Sequence, residues 1–161
     1  DKERRKILSD LTVDFFKEMI EGLEKDYNQL KSQGKEIPFE LQEQYDVVTS
    51  RKRLVKAREL GIDPIFHSAP AVMLFHSQRQ PSTPKDDCVI AAQTVVLAAM
   101  TMGLGTCYIG LFEKAVPAYA PLRKELNLPP GNLLYSVLIL GYPRFKFLRT
   151  VDRKPIKVRW E

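Results

Sequence analysis

An apolar stripe near the start of the chain constrains its folding most. Leu8, Leu11, Phe15, Met19, Leu23, Tyr27 and Leu30 recur every three or four positions, the spacing that gathers side chains on one face of an α-helix. The pattern predicts a helix over 3–31, stopped by Gly34 and Pro38. A second helix is expected over 39–60, marked by Phe39, Leu41, Tyr45, Val48, Leu54 and Val55 and closed by Gly61. Periodicity leaves open whether this helical pair is an excursion or faces a partner.

Beyond residue 60 the pattern changes. Ala71–His76 is a short apolar run between Pro70 and a polar stretch, which is how a buried strand reads. Ser82–Asp87 carries cap-type residues, an early proline and acids, the signature of a helix start. That helix runs to about Met102, and Ala91, Ala92, Ala98 and Ala99 allow a neighbour to approach it closely. Gly103-Leu104-Gly105 breaks it, and Thr106–Gly110 follows as a brief strand or extended turn. A short helix is expected over 119–126 and a strand over 134–140, stopped by Gly141-Tyr142-Pro143. The tail Pro155–Trp160 alternates with period two, as an edge strand or as an arm lying on a partner. Helices and strands in this order predict one α+β layered domain over 1–161, with a helical pair at 1–60 and the α/β portion at 61–161.

Composition narrows the function classes. With 44% hydrophobic and 28% charged residues, the chain is globular in type. Its longest apolar stretch, Val89 to Met102, is interrupted by Gln93, Thr94 and Thr101, so no bilayer-spanning segment and no membrane partner are expected. Cys88 and Cys107 form neither a disulfide framework nor a four-ligand zinc set, even with His67 and His76. Reduced thiols, a cytoplasmic location and no metal are the expectation. The net charge of +5 suits an anionic cofactor or a nucleic acid. The basic residues near the N-terminus and in Arg51–Arg58 lie on predicted helices beside acids, which reads as a solvated face, and no nucleic-acid motif is present. Asp86 and Asp87 read as helix-start acids before they read as an acid–base pair, and no histidine stands in a catalytic pattern with Cys107.

Three segments together carry a resemblance. They are Asp63–Pro70 leading into Ala71–Phe75; Asp87–Gln93 continuing through Leu97-Ala98-Ala99 to Gly103–Gly110; and Leu138–Pro143 followed by a basic stretch ending in Asp152-Arg153-Lys154-Pro155. Each is weak alone. In this order and spacing they resemble the nitroreductase family over roughly residues 63–160, while residues 1–60 add little beyond being helical. The wording of the tail from Arg149 to Trp160 is most similar to members that sometimes carry an iron–sulfur domain, so such a domain or a ferredoxin is an expected partner.

The resemblance implies an α+β fold with a mixed, mostly antiparallel sheet flanked by helices, commonly an intertwined homodimer with FMN at its interface. It implies an NAD(P)H-dependent flavin oxidoreductase acting on nitro compounds, quinones or similar acceptors. The stretch Tyr108-Ile109-Gly110 is expected against the flavin ring, with the backbone N–H groups of Ile109 and Gly110 near N5. Arg153 is expected at the FMN phosphate, with Lys154 next and Arg149 third. Bare chemistry agrees: a glycine break lets backbone approach a flat ring, a flavin is tuned by backbone donors and nearby positive charge, and guanidinium suits a phosphate. No catalytic side chain is expected, because the flavin carries the chemistry.

Two family elements are missing: an early Arg/Ser-rich segment that grips the FMN phosphate, and a later Pro/Ser/Asn/Gln-rich wall of the pocket. The chain also opens on Asp1 and not on a methionine. An N-terminal truncation is therefore expected. The alternative to the enzyme is a dimerising remnant that does not hold flavin by itself.

Overall fold

The computed structural model describes residues 1–80, 82–145 and 152–160. Helix α1 spans Lys2–Ser32, and Asp1 caps it by accepting the Glu3 N–H at 2.8 Å. Its buried line is Leu8, Val13, Phe16, Ile20 and Leu23, with Ser9 and Thr12 also enclosed. This line lies to one side of the predicted stripe. Leu11, Phe15 and Met19 flank it half-buried, because α1 packs on more than one neighbour and the residues between those neighbours are the ones enclosed.

The second predicted helix is two: α2 (Phe39–Asp46) and α3 (Val48–Glu59), broken at Val47. No Gly or Pro marks the break. It turns the chain so that Tyr45 stacks on Tyr27, with centroids 3.8 Å apart, while Val48 buries beside Ile20 and Leu23. Packing overrides local propensity here. Helices α2 and α3 lie on α1, held also by Arg58, whose guanidinium donates to the Asp14 carboxylate and, at 3.1 Å, to the Asp10 carbonyl.

Strands β1 (Ala71–Gln78), β2 (Gly105–Tyr108) and β3 (Asn132–Gly141) form one antiparallel sheet in the order β1-β3-β2. Register pairs Ala71 with Leu140 and Gly105 with Gly141. Alternation splits the sheet into two faces. Val137 and Ile139 enter the main core with Phe66, Ile109, Phe112, Val116 and Leu122. Helices α5 (Gly110–Ala118) and α6 (Ala120–Leu126) cover that face, with α1 beyond them. Helix α4 (Pro84–Thr101) packs on all three strands, inserting Cys88, Ala92 and Ala99.

Helix α5 occupies a segment that periodicity leaves unassigned. Its start coincides with Gly110, read above as part of a strand or turn, and Pro117 sits in its last turn. Thr83 precedes α4 without a side-chain cap, whereas Pro84, Asp86 and Asp87 occupy its first turn as expected. Residues 152–160 lie in no strand, so the tail forms no edge strand, and Trp160 is 89% exposed.

Candidate functional site

The three motif segments meet at one end of the sheet. His67–Pro70, Gly105–Cys107 and Ile139–Pro143 line an open cleft of about 370 Å³. Antiparallel pairing causes this convergence, because the start of β2 lies opposite the end of β3 while the start of β1 flanks it. Close packing fixes the floor: a Cβ on Gly141 would lie 3.0 Å from Pro70 Cδ, so a side chain there would displace the Pro70 ring. His67 and Ser68 are in the left-handed region, at φ 51° and 58°, where non-glycine residues are uncommon.

Tyr108, Ile109 and Gly110 lie at the far end of β2, three residues or about 10 Å from Gly105 at strand rise. Tyr108 is exposed and donates its hydroxyl to Gln93 Oε1 on α4 at 3.3 Å. Ile109 is buried, and its N–H donates to the Val137 carbonyl at 2.9 Å. Gly110 opens α5, where the first N–H groups of a helix lack helical acceptors. A Cβ built on Gly110 meets nothing within 4 Å, so a flat ring has room to approach it. Of the two amides assigned to N5 from sequence, Ile109's already has an acceptor within the fold.

Arg153 and Lys154 are exposed and in no helix or strand. Arg149 lies outside the described residues. The five described site residues are thus not gathered in one pocket: Tyr108–Gly110 sit beside α5, and Arg153 and Lys154 sit on the tail.

Three titratable groups are shifted near these elements. Burial raises Glu113, in the first turn of α5, and Lys85 counters only part of that. Burial also raises the Cys88 thiol, with Asp87 adding to it. Burial acts to raise Asp63, but donors from Ser9, Phe66, Ser68 and Ile65 outweigh it and hold the carboxyl below its ordinary range. Asp63 has no role in the reading from sequence. Its Asp-Pro context marks a turn, but nothing local shows that α1 supplies its partners. No group of three or more His, Cys, Asp or Glu among the described residues is arranged to hold a metal. No described helix is long and apolar enough to cross a membrane.

The chain is 28% identical over 119 residues to an Archaeoglobus fulgidus protein bearing the provisional name NADH dehydrogenase/NAD(P)H nitroreductase, covering 70% of this chain and 66% of that protein. A Methanothermobacter thermautotrophicus protein of the same provisional name is 30% identical over 104 residues, 60% of this chain and 53% of its own length. The chain thus spans less than two thirds of the length of the curated relatives it matches. A nitroreductase with bound FMN from Bacteroides fragilis superposes with a TM-score of 0.51 at 20% identity, covering 66% of this chain and 60% of that one. An FMN-dependent nitroreductase from Mycobacterium smegmatis, solved in complex with NADPH, superposes with a TM-score of 0.50 at 18% identity, covering 88% of this chain and 64% of that one. These likenesses carry the fold. The nitroreductase family model matches residues 11–142. The match takes in most of α1 and all of α2 and α3, which the motifs alone left without family character, and it stops short of Arg149, Arg153 and Lys154. With most of its length matched, the chain belongs to the nitroreductase family.

Proposed function

We propose that the protein is an FMN-dependent oxidoreductase that takes hydride from NAD(P)H and reduces small acceptors such as nitro compounds or quinones. The observation that carries this reading is the convergence of the three motif segments on one cleft, with the unencumbered Gly110 at the other end of the short strand β2. A flavin with its ribityl phosphate arm is long enough to use both places. Bound there, FMN would supply the hydride acceptor, and the chain's part is to place it. In this proposal Gly110 offers its N–H toward the ring, Tyr108 and Ile109 support that turn, and Arg153, Lys154 and Arg149 meet the phosphate. The two free thiols fit a reducing, cytoplasmic setting.

The active form in this reading is a homodimer. Helix α4 leaves Val89, Ile90, Leu97 and Met100 exposed by 40 to 67%, an apolar face that the described residues do not cover. A second reading, a dimerising module that holds no flavin by itself, is favoured by one observation. Arg153 and Lys154, the described residues proposed for the phosphate, lie on an exposed tail outside the matched span.

FMN titration on this chain and on the full product of its gene separates the readings. Binding by both supports a complete flavin protein, and binding by the full product alone makes this chain a partial site. Binding by neither sinks the oxidoreductase. Where FMN binds, Arg153→Ala is expected to weaken it about ten- to a hundred-fold, the loss of one charge-assisted contact. Unchanged affinity would remove Arg153 from the site.

A further inference from the structure

The turn that walls the cleft is held by a network reaching back to α1. Asp63 Oδ1 accepts from the Ser9 hydroxyl at 2.7 Å, from the Phe66 N–H at 2.9 Å and from the Ile65 N–H at 3.1 Å. Its Oδ2 accepts from the Ser68 N–H at 3.1 Å and lies 3.6 Å from Arg5 Nε. Arg5 also donates to the Ala69 carbonyl. The two carboxylate oxygens therefore divide the work. Oδ1 ties the start of the turn to α1, and Oδ2 with Arg5 ties its end, where His67 and Ser68 hold left-handed backbone and Pro70 abuts Gly141.

Two consecutive non-glycine residues in that region persist only where their surroundings over-determine them, and such strain concentrates at ligand sites. The strained pair lines the cleft, whereas the two side chains that hold it, Asp63 and Arg5, do not. Arg5 is mostly buried, and its guanidinium is tied to this turn by the ion pair with Asp63 and the bond to the Ala69 carbonyl. The other charged groups around the carboxylate are Lys2, Lys6 and Asp10 on α1 and Arg58 on α3.

We propose that Asp63 is a positioning residue of the flavin site: through Oδ2 it holds the His67–Ser68 wall in the shape that receives FMN. This rests on the flavin reading above. It goes beyond that reading in making an acid on the opposite side of the turn, touching no ligand, a determinant of cofactor affinity.

Asp63→Asn tests it on the FMN-binding form of the protein. With its amide oxygen in the Oδ1 place, asparagine can still accept from Ser9, Ile65 and Phe66. Its amide nitrogen would then stand as a donor against the donors of Ser68 and Arg5. Ser9→Ala is the matched control, removing one bond on the Oδ1 side and leaving the wall alone. The expected result is FMN affinity about ten-fold weaker in Asp63→Asn, with a changed visible circular dichroism band of bound flavin at saturation. Ser9→Ala should lower the melting temperature yet keep the wild-type affinity and band. If Asp63→Asn folds and binds FMN like wild type, or if both variants weaken FMN only in proportion to lost stability, Asp63 is structural and the proposal falls. Failure of wild type to bind FMN would instead sink the flavin reading, and this proposal with it.

Discussion

Helices α1 and α4 are the two longest helices among the described residues, and they use apolar residues in opposite ways. Helix α1 is polar on average, yet it encloses Val13 and Phe16 completely and Leu8, Ile20 and Leu23 nearly so. Helix α4 is richer in apolar residues, yet it buries only Cys88, Ala92 and Ala99 and leaves Ile90, Leu97 and Met100 well over half exposed. Apolar content alone therefore does not place a helix in the core. A stripe of large residues seats α1, while α4 seats itself with small ones and turns its large ones outward. That outward face is the strongest sign that α4 is shared with something beyond this chain.

Three substitutions sharpen or break the contrast. The largest effect is expected at α1. Phe16→Ala should cost about 3–5 kcal/mol by leaving a cavity in an enclosed site. Urea unfolding at two protein concentrations should show the same loss at both; a loss that vanishes at high concentration would mean that α1 is steadied by assembly. Next comes α4. Leu97→Asp should leave the monomer's stability within about 0.5 kcal/mol, as surface changes usually do. It should weaken dimerisation by about 2 kcal/mol, roughly thirty-fold, if Leu97 sits centrally in an interface. Sedimentation equilibrium decides this, and an unchanged monomer–dimer balance would return α4's apolar face to mere surface.

The smallest effect is expected at Glu113 in α5, between the two. Its carboxyl is raised, chiefly by burial. The folded state thus prefers the protonated form, and that contribution is full below the ordinary glutamate range and lost as pH rises through the folded value. Glu113→Gln should therefore stabilise the protein at pH 7, by less than about 1 kcal/mol after solvent screening. Its advantage should disappear by about pH 4, near the ordinary glutamate value. A destabilised Gln variant at pH 7 would mean that Glu113 has a charged partner in the assembled protein.

What was legible in the sequence follows from how local each signal is. The length of α1, the strands β1 and β3 and the extent of α4 came from periodicity and from Gly and Pro stops, all of which act within a few residues. The break at Val47 was hidden, because it answers to the stacking of Tyr45 on Tyr27, a residue from the preceding helix. Helix α5 was hidden because the glycine that opens it reads as a turn. The motif segments were visible as text, but their meeting at one cleft depends on antiparallel register across β3. Asp63 was missed for the same reason: its partners Arg5 and Ser9 lie more than fifty residues away. The spent N–H of Ile109 is another long-range fact, an acceptor supplied by Val137.

The smaller core beneath α2 and α3 has a consequence for how the molecule breathes. Among the described residues only Ile20, Leu23 and Val48 are buried there, against twelve in the main core. Units with few buried apolar contacts open at lower free energy than the whole protein. The α2–α3 hairpin is therefore expected to detach first, unstacking Tyr45 from Tyr27 and laying bare one flank of α1 while the sheet stays shut. Native hydrogen exchange is then expected to be layered, fast in the hairpin and slow in β3.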